Sequence, residues 1–595
     1  MLPVAMKDLV NLRHLDIRGT KLHEMPKGMN KLEKLQFLSD YFVGKHEENK
    51  IKELGALADL HKSIYIAKLE NVVNSSEALD AKMSDKDGID SMRLSWSSNK
   101  GENIVDSQIE EDILDKLQPH INLKELEIRH YRGTRFPDWL GHSSYDNIAR
   151  LTLDGCRNCC MLPSLGQLPS LEHLTISKFE RLEIVGAEFY QKDECCLETP
   201  FPKLETLTFR SMPCWKVWHT MKFHAFPRLR KLVLENCPML RGDLPNHLPS
   251  LQSLAILRCE QLSYCLPRAL AMTSLSIIGS NEVRIGELPP LLHNLSIGGN
   301  HQVESVLESI TNTQLTSLTS LYISDCSSHI LFPVSSIPAS LQELEIWNCR
   351  KLQVQTDGQH HSLQELFIHN SYDSETSFSL FDSFPNLKSV KIRECEKMES
   401  IVVSRSLSCL RSLSIIDCGS LKSMSTLWMA APQLESLAIL GCKEMELCST
   451  GDSHCSLRSL QISYSEKLAS SAPFMNSQFH GLTYLRIHGE FDGNVKYLLK
   501  EGWLPASLES LMLDCITSVE TLECKGLAHL TSLQQIYISS CHNLENIDGE
   551  KLPPSLLQLL IDNSPLLGKR CEMKDPQIWP KISHSSIRVD GRWIC

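Results

Sequence analysis

Residues 341–349 read Leu-Gln-Glu-Leu-Glu-Ile-Trp-Asn-Cys, which has the general form L-x-x-L-x-I-x-x-C. The phrase returns at residues 229–237, where leucine replaces isoleucine, and at residues 251–259, 410–418 and 434–442. Alternate residues of an extended segment point to the same side, so Leu344 and Ile346 predict one buried face. Glu345 and Trp347 then lie on the opposite, open face. Each phrase therefore predicts a short strand with one face in the core.

Weaker copies of the phrase fill most of the remaining chain. They start at Leu123, Ile148, Leu171, Leu204, Met272, Leu292, Leu318, Leu363, Leu387, Leu457, Leu482, Leu508, Leu533 and Leu556. Successive starts lie mostly 20 to 26 residues apart, the period of leucine-rich repeats. Four earlier units bring the total to about 23. This pattern predicts an α/β solenoid, a leucine-rich-repeat horseshoe with a parallel β-sheet on the concave face and short helices or irregular segments on the convex side.

The spacing of the repeats divides the chain into three predicted regions. Residues 1–122 carry irregularly spaced repeats with inserted helices, residues 123–564 carry regular repeats, and residues 565–595 lose the period and form a cap over the last repeat. One inserted helix follows Ser75 or Ser76 as N-cap, and the other follows Asp106. The apolar stripe of the second helix is predicted at Ile109, Ile113, Leu114 and Leu117.

Composition restricts the function classes. The net charge is −12, from 72 acidic against 60 basic residues that are dispersed along the chain, so no nucleic-acid footprint is predicted. The N-terminus has no signal-peptide pattern, and no apolar run reaches the length of a membrane span. A cytoplasmic location is predicted, with the nucleus as the alternative.

The cysteines are predicted to be reduced and structural. Nine of the 22 cysteines close a phrase, where a small side chain points inward. They are Cys156, Cys237, Cys259, Cys326, Cys349, Cys395, Cys418, Cys442 and Cys541. The C-x-x-C at residues 156–159 has no second pair at the spacing of a zinc site, so no metal site is predicted.

No motif for catalysis or cofactor binding is present. The sequence contains neither G-x-S-x-G nor H-E-x-x-H, and the phosphate-binding pattern G-x-x-x-x-G-K-[S/T] does not occur. The aromatic segment with Phe209, Met212, Trp215 and Trp218 is predicted to pack in the core rather than to contact a ligand. We therefore expect no enzyme activity and no cofactor.

The open face of the predicted sheet remains as a candidate binding surface. Most of its residues are small and polar, but Tyr322, Trp347 and Phe367 fall on neighbouring strands. Exposed aromatic clusters flanked by charge are typical interface anchors. The predicted protein-binding surface comprises Tyr322, Glu343, Glu345, Trp347, Phe367, His369, Lys391 and Arg393. The alternative is an aromatic ladder that stiffens the sheet.

Four segments go beyond a generic repeat. Residues 9–45, YRGTRFPDWLG at 131–141, the stretch from LPSLGQLPSL to VGAEFY at 162–190, and SPLLGKRCEMKDPQIWPKISH at 564–584 resemble the repeat region of plant coiled-coil-type nucleotide-binding leucine-rich-repeat disease-resistance proteins. The resemblance covers essentially the whole chain. It implies a region without the N-terminal and nucleotide-binding domains of that family.

The resemblance also implies a function. Such repeats sense a pathogen effector or a guarded host protein and hold the nucleotide-binding domain of a resistance protein inactive, so all three are expected protein partners, the last here absent or in trans. A substrate adaptor of a ubiquitin ligase is the alternative, but it needs a recruiting motif that residues 1–11 are too few to supply. An extracellular repeat receptor would carry paired cysteine caps and an L-x-G-x-I-P signature, and both are missing.

The missing phosphate-binding loop gives a first prediction. The purified chain should bind neither ATP nor ADP, because no glycine-rich backbone is present to hold the phosphates. Titration calorimetry with Mg·ATP should give no heat above dilution. Saturable binding at micromolar nucleotide would show that the prediction is wrong.

Overall fold

The computed structural model describes most of the chain in two compact units, Met1–Ser309 and Ile310–Cys595. The described ranges are 3–98, 107–191, 199–220, 225–245, 247–263, 266, 269–280, 282–285, 288–312, 315–355, 358–371, 376–445, 456–463, 479–489, 504–516 and 519–594. Asp106, the predicted cap of the second inserted helix, lies outside them. The predicted region boundaries after residues 122 and 564 stay predictions.

The first unit is built on a parallel sheet with one strand in each repeat. Its strands are Asp40–Phe42, Lys62–Ala67, Ile89–Ser95, Glu125–Arg129, Arg150–Asp154, His173–Ser177, Thr206–Arg210, Lys231–Glu235, Ser253–Leu257, Ser274–Ile278 and Asn294–Gly298. Each strand pairs in parallel with the next one along the chain. Two short strands before them, His14–Leu15 and Phe37–Leu38, form a separate parallel pair.

The second unit repeats this plan. Its strands are Ser320–Ser324, Glu343–Trp347, Glu365–His369, Ser389–Arg393, Ser412–Ile416, Ser436–Leu440, Ser459–Ser463, Tyr484–His488, Ser510–Asp514, Gln535–Ser539, Gln558–Asp562, Ser586–Val589 and Arg592–Ile594. The last strand turns back to pair antiparallel with Ser586–Val589. All earlier neighbours in this order are parallel.

Short helices and short strand pairs occupy the returning half of the repeats. The α-helices are Ser75–Asp80, Ser107–Lys116, Asn300–Asn312, Ser425–Ala430, Pro565–Glu572 and Trp579–Ile582. The 3₁₀ helices are Val4–Asp8, Met29–Lys31, Glu47–Asn49, Ile51–Ala56, Leu69–Asn71, Met83–Asp85, Leu165–Gln167, Ala187–Phe189, Val334–Ser336, Leu380–Ser383 and Cys524–Gly526. The short parallel pairs are Ile184–Val185 with Val217–Trp218, Ile330–Pro333 with Leu352–Gln355, Ser377–Phe378 with Ser400–Ile401, and Thr521–Glu523 with Asn546–Asp548. Within the described ranges, no helix combines the length and the apolar character needed to cross a lipid bilayer.

The alternation predicted from the phrase L-x-x-L-x-I-x-x-C is present in the strands. Leu344 and Ile346 are each 1% exposed, whereas Glu343, Glu345 and Trp347 are half-buried on the other face. Pairing in register sets each buried strand residue beside an apolar residue of the next repeat, as Leu344 lies beside Leu366 and Leu366 beside Val390, so that the core is one column of apolar side chains within each unit. Burying one such side chain contributes about 1.5 to 3 kcal/mol. The chain is therefore a leucine-rich-repeat solenoid.

In many repeats the residue that closes the phrase contacts the backbone of the preceding repeat. All nine predicted cysteines are buried. In other repeats a serine takes this place, and its hydroxyl accepts a hydrogen bond from the preceding repeat: Ser371 Oγ accepts from the Cys349 N–H at 2.8 Å and Ser564 Oγ from the Cys541 N–H at 3.0 Å. A cysteine thiol can accept from the same backbone N–H, as the Cys442 sulfur does from the Cys418 N–H. The inward cysteines thus serve backbone satisfaction as well as packing.

The residue before this position turns the chain out of the sheet. Asp325, Asn348 and Asn370 have φ values of 56°, 51° and 44°, in the left-handed region that Asn and Asp tolerate better than most residues. Their side chains bond along the edge of the sheet: Asn348 Nδ2 donates to Asp325 Oδ1 at 3.0 Å, and Asn370 Nδ2 donates to Asn348 Oδ1 at 2.9 Å. The turns of these three repeats are therefore held to one another.

Both inserted helices form, with two corrections to the sequence-based prediction. The N-cap of Ser75–Asp80 is Asn74, whose Oδ1 accepts from the Ser76 N–H at 3.0 Å; neither serine is the cap. In Ser107–Lys116 the predicted stripe includes Ile109, but that residue is 37% exposed and Glu110 is 1% exposed. The helix is rotated about its axis so that Glu110 packs inward. Packing against neighbouring segments, and not the spacing of apolar residues alone, sets this rotation.

The aromatic segment of the first unit packs in the core, as predicted. Phe209, Met212, Trp215 and Trp218 are buried, and the rings of Phe209 and Trp215 lie 4.8 Å apart between centroids. Trp218 satisfies its indole N–H by donating to the Tyr190 hydroxyl at 2.9 Å. A buried indole N–H is usually paired in this way. This segment is part of the fold rather than a ligand site.

The hydrogen bond from the Cys349 N–H to the Ser371 hydroxyl gives a stability prediction. In Ser371→Ala the amide hydrogens around Cys349 should exchange faster, because the buried Cys349 N–H loses its acceptor at a cost of about 1 to 3 kcal/mol. Hydrogen exchange of peptides that contain Cys349 measures this local effect. Ser371→Cys, which places the residue of other repeats there, should keep most of the protection. Equal exchange in wild type and Ser371→Ala would contradict the role of the hydroxyl.

Glu110 gives a pH prediction. Burial raises the pKa of Glu110 to about 7 from an unperturbed value of 4.5, opposed by the nearby Arg132. Between these two values the folded state holds more protons than the unfolded state, so stability falls as pH rises through this window. Glu110→Gln, which is neutral at every pH, should gain stability over wild type from pH 5 to pH 8, on the order of 2 to 3 kcal/mol. Urea unfolding at both pH values checks this, with exposed Asp112→Asn as the control that should show no such gain.

Candidate functional site

The candidate surface lies on four consecutive strands of the second unit. In register, Tyr322 lies beside Glu345, which lies beside Phe367, which lies beside Lys391. A second row on the same face, two residues further along each strand, runs through Ser324, Trp347, His369 and Arg393. All eight predicted surface residues are outside the core, either half-buried or exposed. The alternation of each strand therefore brings them to one face.

The aromatic side chains form a staggered cluster rather than a single column. Trp347 is central: its ring centroid lies 6.2 Å from that of Tyr322, 4.9 Å from Phe367 and 4.4 Å from His369. We call Tyr322, Trp347, Phe367 and His369 the aromatic cluster. Partial burial raises the pKa of the Tyr322 hydroxyl, so it remains a neutral donor and acceptor. The cluster offers a rigid apolar contact with polar tips.

A shallow depression lies beside the aromatic cluster. Its volume is about 210 Å³, and it is lined by Glu343, Glu345, Trp347, Glu365, Phe367, Ser389 and Lys391 together with Leu344 and Leu366. We call it the acidic depression. Glu345 Oε2 accepts from the Trp347 indole N–H at 3.2 Å, which fixes one ring against one carboxylate. The lining thus combines three carboxylates, two aromatic rings and one ammonium group.

A charged network borders the cluster on its other side. Glu394, which follows the strand Ser389–Arg393, lies 3.1 Å from Arg393 Nε and 3.4 Å from His369 Nε2. The predicted binding surface includes Arg393 and His369 but omits Glu394. The alternation of the strand also predicts Glu365 on the open face, although it is not among the predicted binding residues. The position of each residue within the phrase L-x-x-L-x-I-x-x-C would have placed Glu394 beside them. It would also have placed Trp347 one row away from Tyr322 and Phe367.

One group of possible metal ligands occurs among the described residues. His488, Asp514 and Cys515 bring their ligand atoms within 4.8 Å of one another. However, Asp514 Oδ2 already accepts from Arg486 and from His488 Nδ1, the latter at 3.1 Å. Although burial opposes it, these hydrogen bonds hold the pKa of Asp514 below its usual value. A guanidinium bound to the same oxygen repels a metal ion, so the group is better described as an ion-pair network.

Comparison with known proteins extends the repeat assignment. Residues 51–179 match the family model described as R13L1/DRL21 LRRs. RPP13-like protein 1 of Arabidopsis thaliana, a candidate disease resistance protein, is 35% identical over 335 residues, which are 53% of this chain and 32% of that protein. Disease resistance protein RGA2 of Solanum bulbocastanum is 31% identical over 229 residues, 37% of this chain and 23% of that protein. The chain thus spans a third or less of the length of these relatives.

Solved structures with similar folds are more distant. The TLR13–ssRNA13 complex has a TM-score of 0.49 at 16% identity, over 97% of this chain and 89% of that chain. The PEPR1–AtPEP1 complex has a TM-score of 0.33 at 15% identity, over 100% of this chain and 88% of that chain. These likenesses say nothing about the ligands of the present chain. The sequence matches, in contrast, confirm that the chain is related to the leucine-rich-repeat region of plant disease-resistance proteins.

Proposed function

We propose that the chain is a non-catalytic protein-recognition module of plant innate immunity. The observation that carries the proposal is the aromatic cluster, a group of four rings on the open face of a repeat sheet whose other strands present mainly small and polar side chains. The relation to disease-resistance proteins supports the biological setting. The ion-pair network around Asp514 and the inward cysteines are accounted for by the fold.

The expected partners are proteins. A pathogen effector or a guarded host protein would contact the open face, and the nucleotide-binding domain of a resistance protein would be held inactive by the repeats, in the same polypeptide or in trans. Such partners are large, and large partners suit an extended sheet better than a small molecule does. We further propose that this recognition takes place in the cytoplasm, with the nucleus as a second location.

Trp347 is proposed as the central anchor of the binding surface. Its ring contacts three other rings, and its indole N–H is already held by Glu345, so little side-chain entropy remains to be lost on binding. Rigid aromatic side chains at the centre of a patch carry a large share of interface energy. Glu343, Glu345, Lys391 and Arg393 form the polar rim, which affects mainly the association rate and its salt dependence.

The proposal predicts the effect of Trp347→Ala. Proximity labelling in plant cells with the wild-type chain and with Trp347→Ala identifies proteins whose labelling depends on this ring. With the purified partner, Trp347→Ala should weaken binding by about 2 kcal/mol or more, close to thirtyfold, because the anchor is removed. Glu345→Lys should change the association rate and its salt dependence more than the dissociation rate.

Trp593→Ala is the matched control, because Trp593 is a tryptophan of the second unit that is 54% exposed and lies far along the chain from the cluster. It should leave partner binding unchanged. Thermal melts of all variants separate a lost contact from a lost fold. Unchanged affinity of Trp347→Ala for every partner found would reduce the cluster to a ladder that stiffens the sheet, and a collapsed melt would show that the ring supports the core.

A further inference from the structure

The acidic depression holds carboxylates without a counter-ion. Within the described part of the chain, Glu343 and Glu365 form no ion pair, and neither does Lys391. Glu343 and Glu365 lie directly opposite each other in the register of neighbouring strands. Like charges in that position destabilise a sheet. With three glutamates against one lysine, the lining carries a formal charge of −2.

Several carboxylates on other strands pair with a basic side chain of a neighbouring strand. Glu235 pairs with Arg210 at 2.9 Å, and Asp562 pairs with Arg588 at 3.4 Å. Asp514 is bound by Arg486. The fold therefore uses cross-strand arginines readily where it places an acid on this face. Among the residues that the structure describes, no cation pairs with Glu343 or Glu365 in this way.

We propose that the missing cation is supplied by a partner, as an arginine side chain that enters the acidic depression and stacks on Trp347 or Phe367. This inference rests on the proposed function and names the chemistry of its partner: a protein segment that presents an arginine from a neutral or basic surface. The guanidinium would bond to Glu343 and Glu365 and replace the cross-strand arginine found elsewhere. The negative potential of the lining attracts such a segment before contact.

Shape favours arginine over lysine. The depression, about 210 Å³ in volume, has room for an arginine side chain. A guanidinium is planar, stacks on aromatic faces and bonds two carboxylate oxygens at once, whereas an ammonium group is a strongly hydrated point charge. Two rings and three carboxylates around one depression match the first of these shapes.

The test uses ligand-observed NMR with the full chain and two probes. One probe is the blocked peptide acetyl-Gly-Gly-Arg-Gly-Gly-amide, and the other carries citrulline, which has the shape of arginine but no charge, at the same position. Saturation transfer detects weak binding to a large protein. The arginine peptide should bind at least about fivefold more tightly than the citrulline peptide, and its binding should weaken as salt is raised.

Variants locate the binding. Glu343→Gln/Glu365→Gln should reduce arginine-peptide binding at least about fivefold, and Lys391→Gln should strengthen it because the competing cation is removed. The matched control is Glu399→Gln/Glu435→Gln, which removes two negative charges from the same unit where they pair with Lys422 and Arg411. This control should leave peptide binding unchanged. Equal loss in both double variants would show that net charge alone attracts the peptide and would overturn the inference.

The outcomes separate this inference from the proposed function. If a protein partner requires Trp347 while arginine and citrulline peptides bind equally, the surface recognises a partner of other chemistry and the arginine site is wrong. If the arginine peptide binds and depends on Glu343 and Glu365, but no protein partner depends on Trp347, the depression binds guanidinium groups and the aromatic anchor is wrong.

Discussion

The structure depends on parallel pairing in register, because no single repeat can bury its apolar side chains alone. The strand Glu343–Trp347 offers two buried side chains, Leu344 and Ile346, to each neighbouring strand and receives two in return. The same pairing fixes which outward side chains become neighbours. Core and surface are therefore two consequences of one constraint: aligning Leu344 with Leu366 also sets Glu343 against Glu365 and Glu345 against Phe367.

Sequence periodicity predicts the features that follow directly from this in-register pairing. The strand faces, the buried cysteines and the core position of Trp215 follow from spacing and composition, and each agrees with the structure. The helix Ser107–Lys116 does not follow, because Ile109 and Glu110 are one residue apart and the choice between them is made by packing. Asn74 and Ser75 compete for the N-cap in the same way, since both have side chains that can accept the bond.

The candidate site is likewise predictable from the sequence only in part. Its members can be read from the alternation of four strands, but the contacts between them are side-chain choices. The Trp347 ring lies closest to His369, a residue that the pattern places on the surface without indicating a ring contact. Whether Arg393 stays free or binds Glu394 depends on the left-handed turn that brings Glu394 back beside it. Which charged residues pair with each other at a site is therefore known from the structure and not from the sequence pattern.

The joint between repeats has a consequence for how such a surface changes over generations. Because the Cys349 N–H needs an acceptor and either a serine hydroxyl or a cysteine thiol can face that position, a repeat need not be matched to one particular neighbour. Where a repeat closes its phrase with serine or cysteine, its exchange by recombination leaves the backbone N–H at the new junction with an acceptor. The outward residues of the exchanged repeat arrive as a set, already aligned with the rows on either side. A repeat sheet built in this way can acquire a new outward surface in one genetic event while the core keeps its packing.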